Sequence, residues 1–149
     1  MRSASAEETR KLGEQLAEEL RSGDVILLEG PLGAGKSEMA RGIAKGLGVR
    51  ETVTSPSFTI LNVYESGRVP LYHFDWYRLE SPEELYEMGM GEYLGGDCVA
   101  LVEWPGQAAE DLPADFLMIE ILPEGENERR FRIQRHGHFR ALQWDREDG

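Results

Sequence analysis

The pattern of apolar positions in the first third of the chain predicts a helix, a strand and a second helix. Two stretches carry apolar residues at helical spacing: Leu12, Leu16 and Leu20, then Met39, Ile43 and Leu47. Ser5 and Glu8 have the spacing of a capping box at the start of the first helix, and Gly48 ends the second. Between the helices, the segment DVILLE holds an unbroken apolar run, which is typical of a strand buried on both faces.

Five further apolar segments predict strands. They are SFTILNVYE, LYHFDWYRL, CVALVEWP, and the pair FLMIEIL and RRFRIQR, which flank the turn-rich PEGENE as in an antiparallel hairpin. One more helix is predicted from Ser81, because Pro82 follows at the first helical position. The sequence therefore predicts an α/β fold: a single domain over residues 1–149 with a central, mostly parallel sheet, flanking helices and antiparallel strands at one edge. The acidic segment 145–149 is expected to be loose.

Composition and charge narrow the classes of protein that fit. The sequence has no apolar run long enough to cross a membrane, and no apolar segment follows Arg2 as in a secretory signal. Its one cysteine, Cys98, cannot form an internal disulfide, so a cytoplasmic location is expected. The formal net charge of -12 repels polyphosphate backbones. We therefore expect no membrane association and no autonomous binding to nucleic acid, so any role on RNA would pass through a partner protein.

The strongest chemical signal is GPLGAGKS, residues 30–37, which joins the DVILLE strand to the second helix. Gly30, Gly35, Lys36 and Ser37 match the P-loop pattern G-x-x-x-x-G-K-[ST], which predicts a P-loop NTPase-like domain. The glycines let backbone N–H groups approach phosphates, the lysine adds a mobile positive charge, and the hydroxyl can join the coordination of Mg²⁺. The N-K-x-D and D-x-x-G motifs of guanine-specific enzymes are absent from the sequence, which favours ATP.

Two acidic residues and one hydroxyl-rich loop are candidates for the rest of the site. Asp75 and Glu103 stand at the ends of predicted strands, where ligands bind in open α/β sheets. Either carboxylate can hold or orient a metal ion, and the sequence does not divide these roles between them. Thr54, Ser55 and Ser57 surround a proline in VTSPSFT, which is either a switch-like loop that senses a γ-phosphate or an ordinary loop before a strand.

Taken in order, GPLGAGKS, TSPSFTI, HFDWYRLESPEELYEMG and LVEWP resemble the bacterial TsaE family, formerly called YjeE. That family is the ATPase component of tRNA threonylcarbamoyladenosine biosynthesis. The resemblance runs from the first helix to about Pro105, and it implies a subunit that docks on a complex of TsaB and TsaD and reaches tRNA through it. It further implies that ATP hydrolysis resets this complex between turnovers, while TsaD transfers the threonylcarbamoyl group.

The resemblance also implies roles for particular positions. It places Lys36 and Ser37 on phosphates and Mg²⁺, assigns Asp75 and Glu103 to the metal and to hydrolysis, and sets Trp104 beside the site. The nucleotide-binding residues expected from it are Thr9, Leu32, Gly33, Ala34, Gly35, Lys36, Ser37, Glu38 and Trp104. The family's glycine loop usually ends in Thr and its switch loop often reads S-P-T. This chain has Ser at both positions and so keeps both hydroxyls.

A different enzyme class also fits the glycine motif. A small-molecule P-loop kinase would use Asp75 as a base toward an acceptor hydroxyl. Such kinases usually carry an arginine-rich lid, and no convincing lid is found in the sequence. Acceptor-dependent consumption of ATP distinguishes this alternative from the first interpretation.

Two remaining groups of charged or polar residues are interpreted as structural. His73 stands between Tyr72 and Phe74 on a predicted strand, so it is expected to be a core histidine rather than a ligand. Four arginines give the last hairpin a basic face, which is interpreted as a solvated strand edge rather than a docking surface: Arg129, Arg130, Arg132 and Arg135.

Overall fold

The computed structural model describes residues 1–31, 33–54, 56, 60–77, 79, 83–84, 93–106 and 112–146. In these residues the chain forms two helices and one mixed sheet of seven strands. Their bounds are β1 Arg2–Ser3, α1 Ala6–Ala17, β2 Val25–Glu29, α2 Lys36–Gly46, β3 Leu61–Tyr64, β4 Leu71–Asp75, β5 Val99–Glu103, β6 Phe116–Pro123 and β7 Arg129–His136. The strands lie side by side in the order β1-β7-β6-β2-β5-β4-β3. The predicted α/β architecture with a single sheet is confirmed.

The centre of the sheet is parallel and both edges are antiparallel. β6, β2, β5 and β4 run in the same direction, with Leu27 of β2 between Met118 of β6 and Val102 of β5. β7 pairs antiparallel with β6, as predicted for the closing hairpin. The structure also has an antiparallel pair that was not predicted, because β3 pairs with β4 at the other edge. The connection between β3 and β4, residues 65–70, is too short for the crossover that a parallel pair needs.

Both described helices pack on the same face of the sheet and against each other. Leu16 of α1 and Ile43 of α2 share one buried cluster with Leu28 of β2 and Leu101 of β5. A second buried cluster covers the opposite face, includes Phe74, and contains no residue of α1 or α2. The two helices therefore flank the sheet on one side, the side that also carries the candidate site. Neither helix is long and apolar enough to cross a bilayer.

The first helix begins where the sequence predicts and ends before Leu20, the last residue of its apolar pattern. The Ser5 hydroxyl accepts a hydrogen bond from the Glu8 N–H at 3.1 Å, and the Glu8 carboxylate accepts one from the Ala4 N–H at 3.0 Å. This reciprocal arrangement stabilises the first turn. α1 ends at Ala17, where the Arg68 guanidinium donates to the Ala17 carbonyl. The helix therefore stops before the last apolar residue of its sequence pattern.

Two strands are shorter than their apolar segments. β3 starts after Ile60, whose φ of 68° is incompatible with a strand, and residues 57–59 lie outside the described part of the chain. β4 ends at Asp75, whose carboxylate accepts a hydrogen bond from the Tyr77 N–H at 2.9 Å. That contact closes a turn immediately after the strand. The helix predicted from SPEELYEM lies mostly outside the described residues.

The C-terminal segment is anchored to α1 as far as Trp144. The Trp144 indole N–H donates to the Leu12 carbonyl at 2.9 Å, and its backbone N–H donates to the Glu19 carboxylate at 2.7 Å. Residues 147–149 lie outside the described part of the chain, so the expected looseness of the tail stays a prediction.

Cys98 is buried immediately before β5. Its thiol donates to the Tyr93 carbonyl at 3.3 Å, and burial, with a smaller contribution from Asp97, raises the pKa of the thiol to about 11. At pH 8 only about one such thiol in a thousand is ionised, so we expect native protein to react with Ellman's reagent far more slowly than unfolded protein. Equal labelling rates in buffer and in concentrated guanidinium would contradict this prediction.

Candidate functional site

The glycine loop leads from the end of β2 into the start of α2, as predicted. Gly33 and Gly35 have φ values of 80° and 111°, which side-chain-bearing residues rarely adopt. Gly35 is the N-cap of α2, and no side chain caps this helix end. The first N–H groups of the helix therefore lack a capping acceptor, and the helix dipole favours an anion in front of them.

Lys36 is buried at the start of α2 and its ammonium group turns back onto the loop. Nζ donates to the carbonyl oxygens of Gly30 and, at 3.1 Å, of Pro31. The same atom lies 3.9 Å from the centre of the Trp104 ring, which is a cation–π distance. Burial lowers the pKa of Lys36, and the negative charge of Glu103 is the largest influence that opposes this shift.

Asp75 and Glu103 face each other at the carboxyl ends of β4 and β5. The two residues are directly paired in the parallel register, and each is only 4% exposed. Both side chains point to the face of the sheet that α1 and α2 cover, because they alternate with Phe74 and Val102 of the opposite face. The carboxylate of Glu103 lies 2.6 Å from Nε2 of His73, which is itself buried. The fold thus brings together two acidic groups from distant parts of the sequence.

A cavity of about 340 Å³ joins the glycine loop to the two carboxylates. Ten of the residues predicted for the site line it: Thr9, Gly33, Ala34, Gly35, Lys36, Ser37, Glu38, Asp75, Glu103 and Trp104. Thr54 does not line this cavity and instead borders a small gap beside Ser37 and His73. Leu32, Ser55 and Ser57 lie outside the described residues.

Five further residues line the cavity and were not predicted: Ser5, Ala6, Tyr77, Asn127 and Arg129. Arg129 corrects the interpretation of the basic hairpin as a solvated edge. Its guanidinium donates to the carbonyl oxygens of Ala34 at 2.7 Å and Gly33 at 3.1 Å, which ties β7 to the glycine loop. Arg132 is exposed and pairs with Glu120 at 3.2 Å, as a solvated strand edge would. Strand alternation distinguishes the two arginines, because Arg129 shares a face of β7 with the apolar Phe131 and Ile133, whereas Arg132 lies on the other face.

The oxygen donors in the cavity fit Mg²⁺. Ser37 offers a hydroxyl, and Asp75 and Glu103 offer carboxylates, which are the hard ligands that this ion prefers. Among the described residues no group of three or more His, Cys, Asp or Glu side chains forms a closed metal site. Mg²⁺ usually takes only one or two carboxylates from the protein and fills its remaining positions with water and phosphate oxygens, so Asp75 and Glu103 are enough in number.

Comparison with known proteins identifies the family. Residues 3–131 match the family model described as "Threonylcarbamoyl adenosine biosynthesis protein TsaE". The chain belongs to the TsaE family. The tRNA threonylcarbamoyladenosine biosynthesis protein TsaE of Bacillus subtilis (strain 168) is 44% identical over 128 residues, which cover 86% of this chain and 80% of that protein. TsaE of Treponema pallidum (strain Nichols) is 41% identical over 128 residues, which cover 85% of this chain and 94% of the relative.

A solved structure supports the same assignment. The crystal structure of Bacillus subtilis YdiB matches the fold with a TM-score of 0.80 at 39% sequence identity, over 92% of this chain and 84% of that chain. Membership of the TsaE family places the protein in tRNA threonylcarbamoyladenosine biosynthesis. The resemblance seen in the sequence is therefore confirmed at the level of the family.

Proposed function

We propose that this TsaE-family chain is a Mg²⁺-dependent P-loop ATPase subunit whose hydrolysis of ATP resets a complex of TsaB and TsaD between turnovers of tRNA modification. The observation that carries the proposal is the single cavity that joins the glycine loop, Lys36, Asp75 and Glu103. A phosphate-binding loop beside carboxylates at the ends of parallel strands is the layout on which P-loop NTPases stabilise phosphoryl transfer. The family supplies the biological setting.

In this proposal the glycine loop and Lys36 bind the phosphates of ATP. Lys36 Nζ is held by two neutral carbonyl oxygens, and a phosphate oxygen is a charged and therefore stronger acceptor. The backbone N–H groups of the loop and of the first turn of α2 would surround the same anion. The loop residues assigned to this role are Leu32, Gly33, Ala34, Gly35, Lys36 and Ser37. Thr9, Glu38 and Trp104 would border the bound nucleotide.

Asp75 and Glu103 serve the metal and the attacking water in this proposal. Bound Mg²⁺ neutralises charge on phosphate oxygens and favours attack at the terminal phosphorus. Ser37, Asp75 and Glu103 are the residues that would hold it. The carboxylates would also orient the water and accept its proton. Because both are almost completely buried, few other waters compete for them.

In this proposal the hydrolysis of ATP acts on partner proteins. The net charge of -12 repels RNA, so we assign the contact with tRNA to TsaB and TsaD. We propose that Thr54, Ser55 and Ser57 belong to a loop that responds to the terminal phosphate, because Thr54 lies in the gap beside Ser37. The expected location of this activity is the cytoplasm.

The test is the rate of phosphate release from ATP and Mg²⁺ with and without TsaB and TsaD, with Lys36→Ala as the blank. We expect slow hydrolysis by the isolated chain and about ten-fold or greater stimulation by the partners, since contacts supplied in trans to other P-loop enzymes accelerate hydrolysis strongly. The stimulated rate should vanish in the Lys36→Ala variant. Phosphate release that the partners leave unchanged counts against the proposal, and ATP consumption that requires a small-molecule acceptor points to a kinase instead.

A further inference from the structure

His73 holds one oxygen of the Glu103 carboxylate. His73 lies on β4 and is 2% exposed, and its Nε2 is 2.6 Å from Oε2 of Glu103 on the neighbouring strand β5. Within the described part of the chain, this is the one hydrogen bond that the Glu103 side chain makes. A buried carboxylate with a single hydrogen-bond partner depends on that partner for its orientation.

The direction of the hydrogen bond depends on the ring tautomer of His73, and the chemistry of a carboxylate assigns it. An ionised carboxylate only accepts hydrogen bonds, so Nε2 of His73 carries the hydrogen and donates it. With Oε2 occupied in this way, Oε1 is the oxygen of Glu103 that is free to act in the cavity. This hydrogen bond is charge-assisted and shielded from water, so it is stronger than the same hydrogen bond on a protein surface.

The second ring nitrogen of His73 argues against a purely structural role. Nδ1 is buried and has no hydrogen-bond partner among the described residues. A buried polar atom without a partner is rare in folded proteins, and an apolar side chain at this position would avoid it. His73 also does not line the cavity of about 340 Å³, so it has no direct contact with a ligand bound there. His73 borders the small gap beside Ser37 and Thr54, and the hydrogen bond that links it to the cavity is the one to Glu103.

We propose that His73 is a positioning residue that sets the orientation of Glu103 for ATP hydrolysis. This inference rests on the proposed ATPase function. It adds a residue that does not line the cavity and contacts a residue that does. The burial of His73 confirms the prediction of a core histidine, and the proposal adds a role for it.

The experiment compares three substitutions of His73 in the full-length chain assayed with TsaB, TsaD, ATP and Mg²⁺. Gln places its amide N–H near the position of Nε2 and keeps the donor, whereas Asn has a shorter side chain that does not reach Glu103, and Leu has no donor. We expect His73→Asn and His73→Leu to lower kcat by about 10–100-fold, as is typical when the partner of a metal-site ligand is removed. We expect His73→Gln to lower kcat by less than either of these two substitutions does.

Two measurements separate positioning from a general loss of structure. The dissociation constant of a fluorescent ATP analogue should change less than about three-fold in all three variants, because His73 does not line the cavity. In nucleotide-free protein, ¹⁵N NMR should show the hydrogen of the His73 ring on Nε2, and Glu103→Ala should shift that signal. In a Glu103→Ala background, replacing His73 should cause no further loss of turnover.

The opposite results overturn either the positioning role of His73 alone or the proposed ATPase function as well. Full activity in His73→Leu, equal losses in the Gln and Asn variants, or weakened nucleotide binding with an unchanged kcat overturns the positioning role while the ATPase function stands. A His73 ring with its hydrogen on Nδ1 and none on Nε2 also overturns the positioning role. A wild-type chain that fails to hydrolyse ATP with TsaB and TsaD overturns the proposed function and this inference with it.

Discussion

Glu103→Gln is expected to lower the kcat of ATP hydrolysis by about 10²–10⁴-fold while nucleotide binding persists. The substitution keeps the shape of the side chain and removes its charge and basicity. His73 Nε2 can still donate to the amide oxygen of Gln, so the packing between β4 and β5 should survive. The loss would therefore report the missing carboxylate rather than a damaged core. Removal of a negative charge that faces the phosphates should leave ATP affinity unchanged or increase it.

A matched control is available on the neighbouring strand. Glu29 ends β2 as Glu103 ends β5, and its charge also acts on Lys36, but its side chain is exposed and does not line the cavity. We expect Glu29→Gln to retain turnover within about two-fold, as is usual for substitution of an exposed charge. Both variants are measured by phosphate release in the presence of TsaB and TsaD and by titration with a fluorescent ATP analogue. Wild-type turnover in Glu103→Gln would remove Glu103 from the catalytic group.

Local sequence patterns predicted the elements that position this site. The unbroken apolar run of β2, the glycine motif and the helical spacing of α2 lie next to one another in the sequence, so their order alone places Lys36 and Ser37 at the end of the strand. Asp75 and Glu103 were predicted from the rule that ligands bind at the carboxyl ends of parallel strands. The structure confirms that they are neighbours, because β4 and β5 pair with these two residues in register.

Features that depend on distant contacts were not predictable in the same way. Alternation along β7 places Arg129 on the same face as Phe131, but its reach to the glycine loop depends on the pairing of distant strands. Ser5 was recognised as a helix cap, yet its place in the cavity wall follows from how α1 crosses α2. The hydrogen bond from His73 to Glu103 likewise follows from strand pairing, since each residue alone fits a buried strand. A single sequence holds little information on which strands become neighbours.

Gly42→Ala is expected to destabilise the protein by about 3 kcal/mol or more, although Ala is the better helix former in isolation. A methyl group on Gly42 would lie 2.1 Å from the Arg10 carbonyl oxygen, because α1 and α2 cross with their backbones nearly in contact. The opposing glycine is equally confined, since a methyl group on Gly13 would lie 2.6 Å from the Met39 carbonyl oxygen. Relief of the clash requires the helices to separate, which exposes the core between them.

The same separation should disturb the site, because Thr9 of α1 and Lys36 of α2 both line the cavity. For a chain of this length a loss of about 3 kcal/mol corresponds to a fall in Tm of roughly 10 °C. Gly125→Ala is the control, because no heavy atom lies within 4 Å of its added methyl group and it stands in the exposed turn between β6 and β7. Thermal unfolding followed by circular dichroism measures both variants. A Gly42→Ala protein with the Tm of the wild type would mean that the helices do not cross as closely as the structure has them.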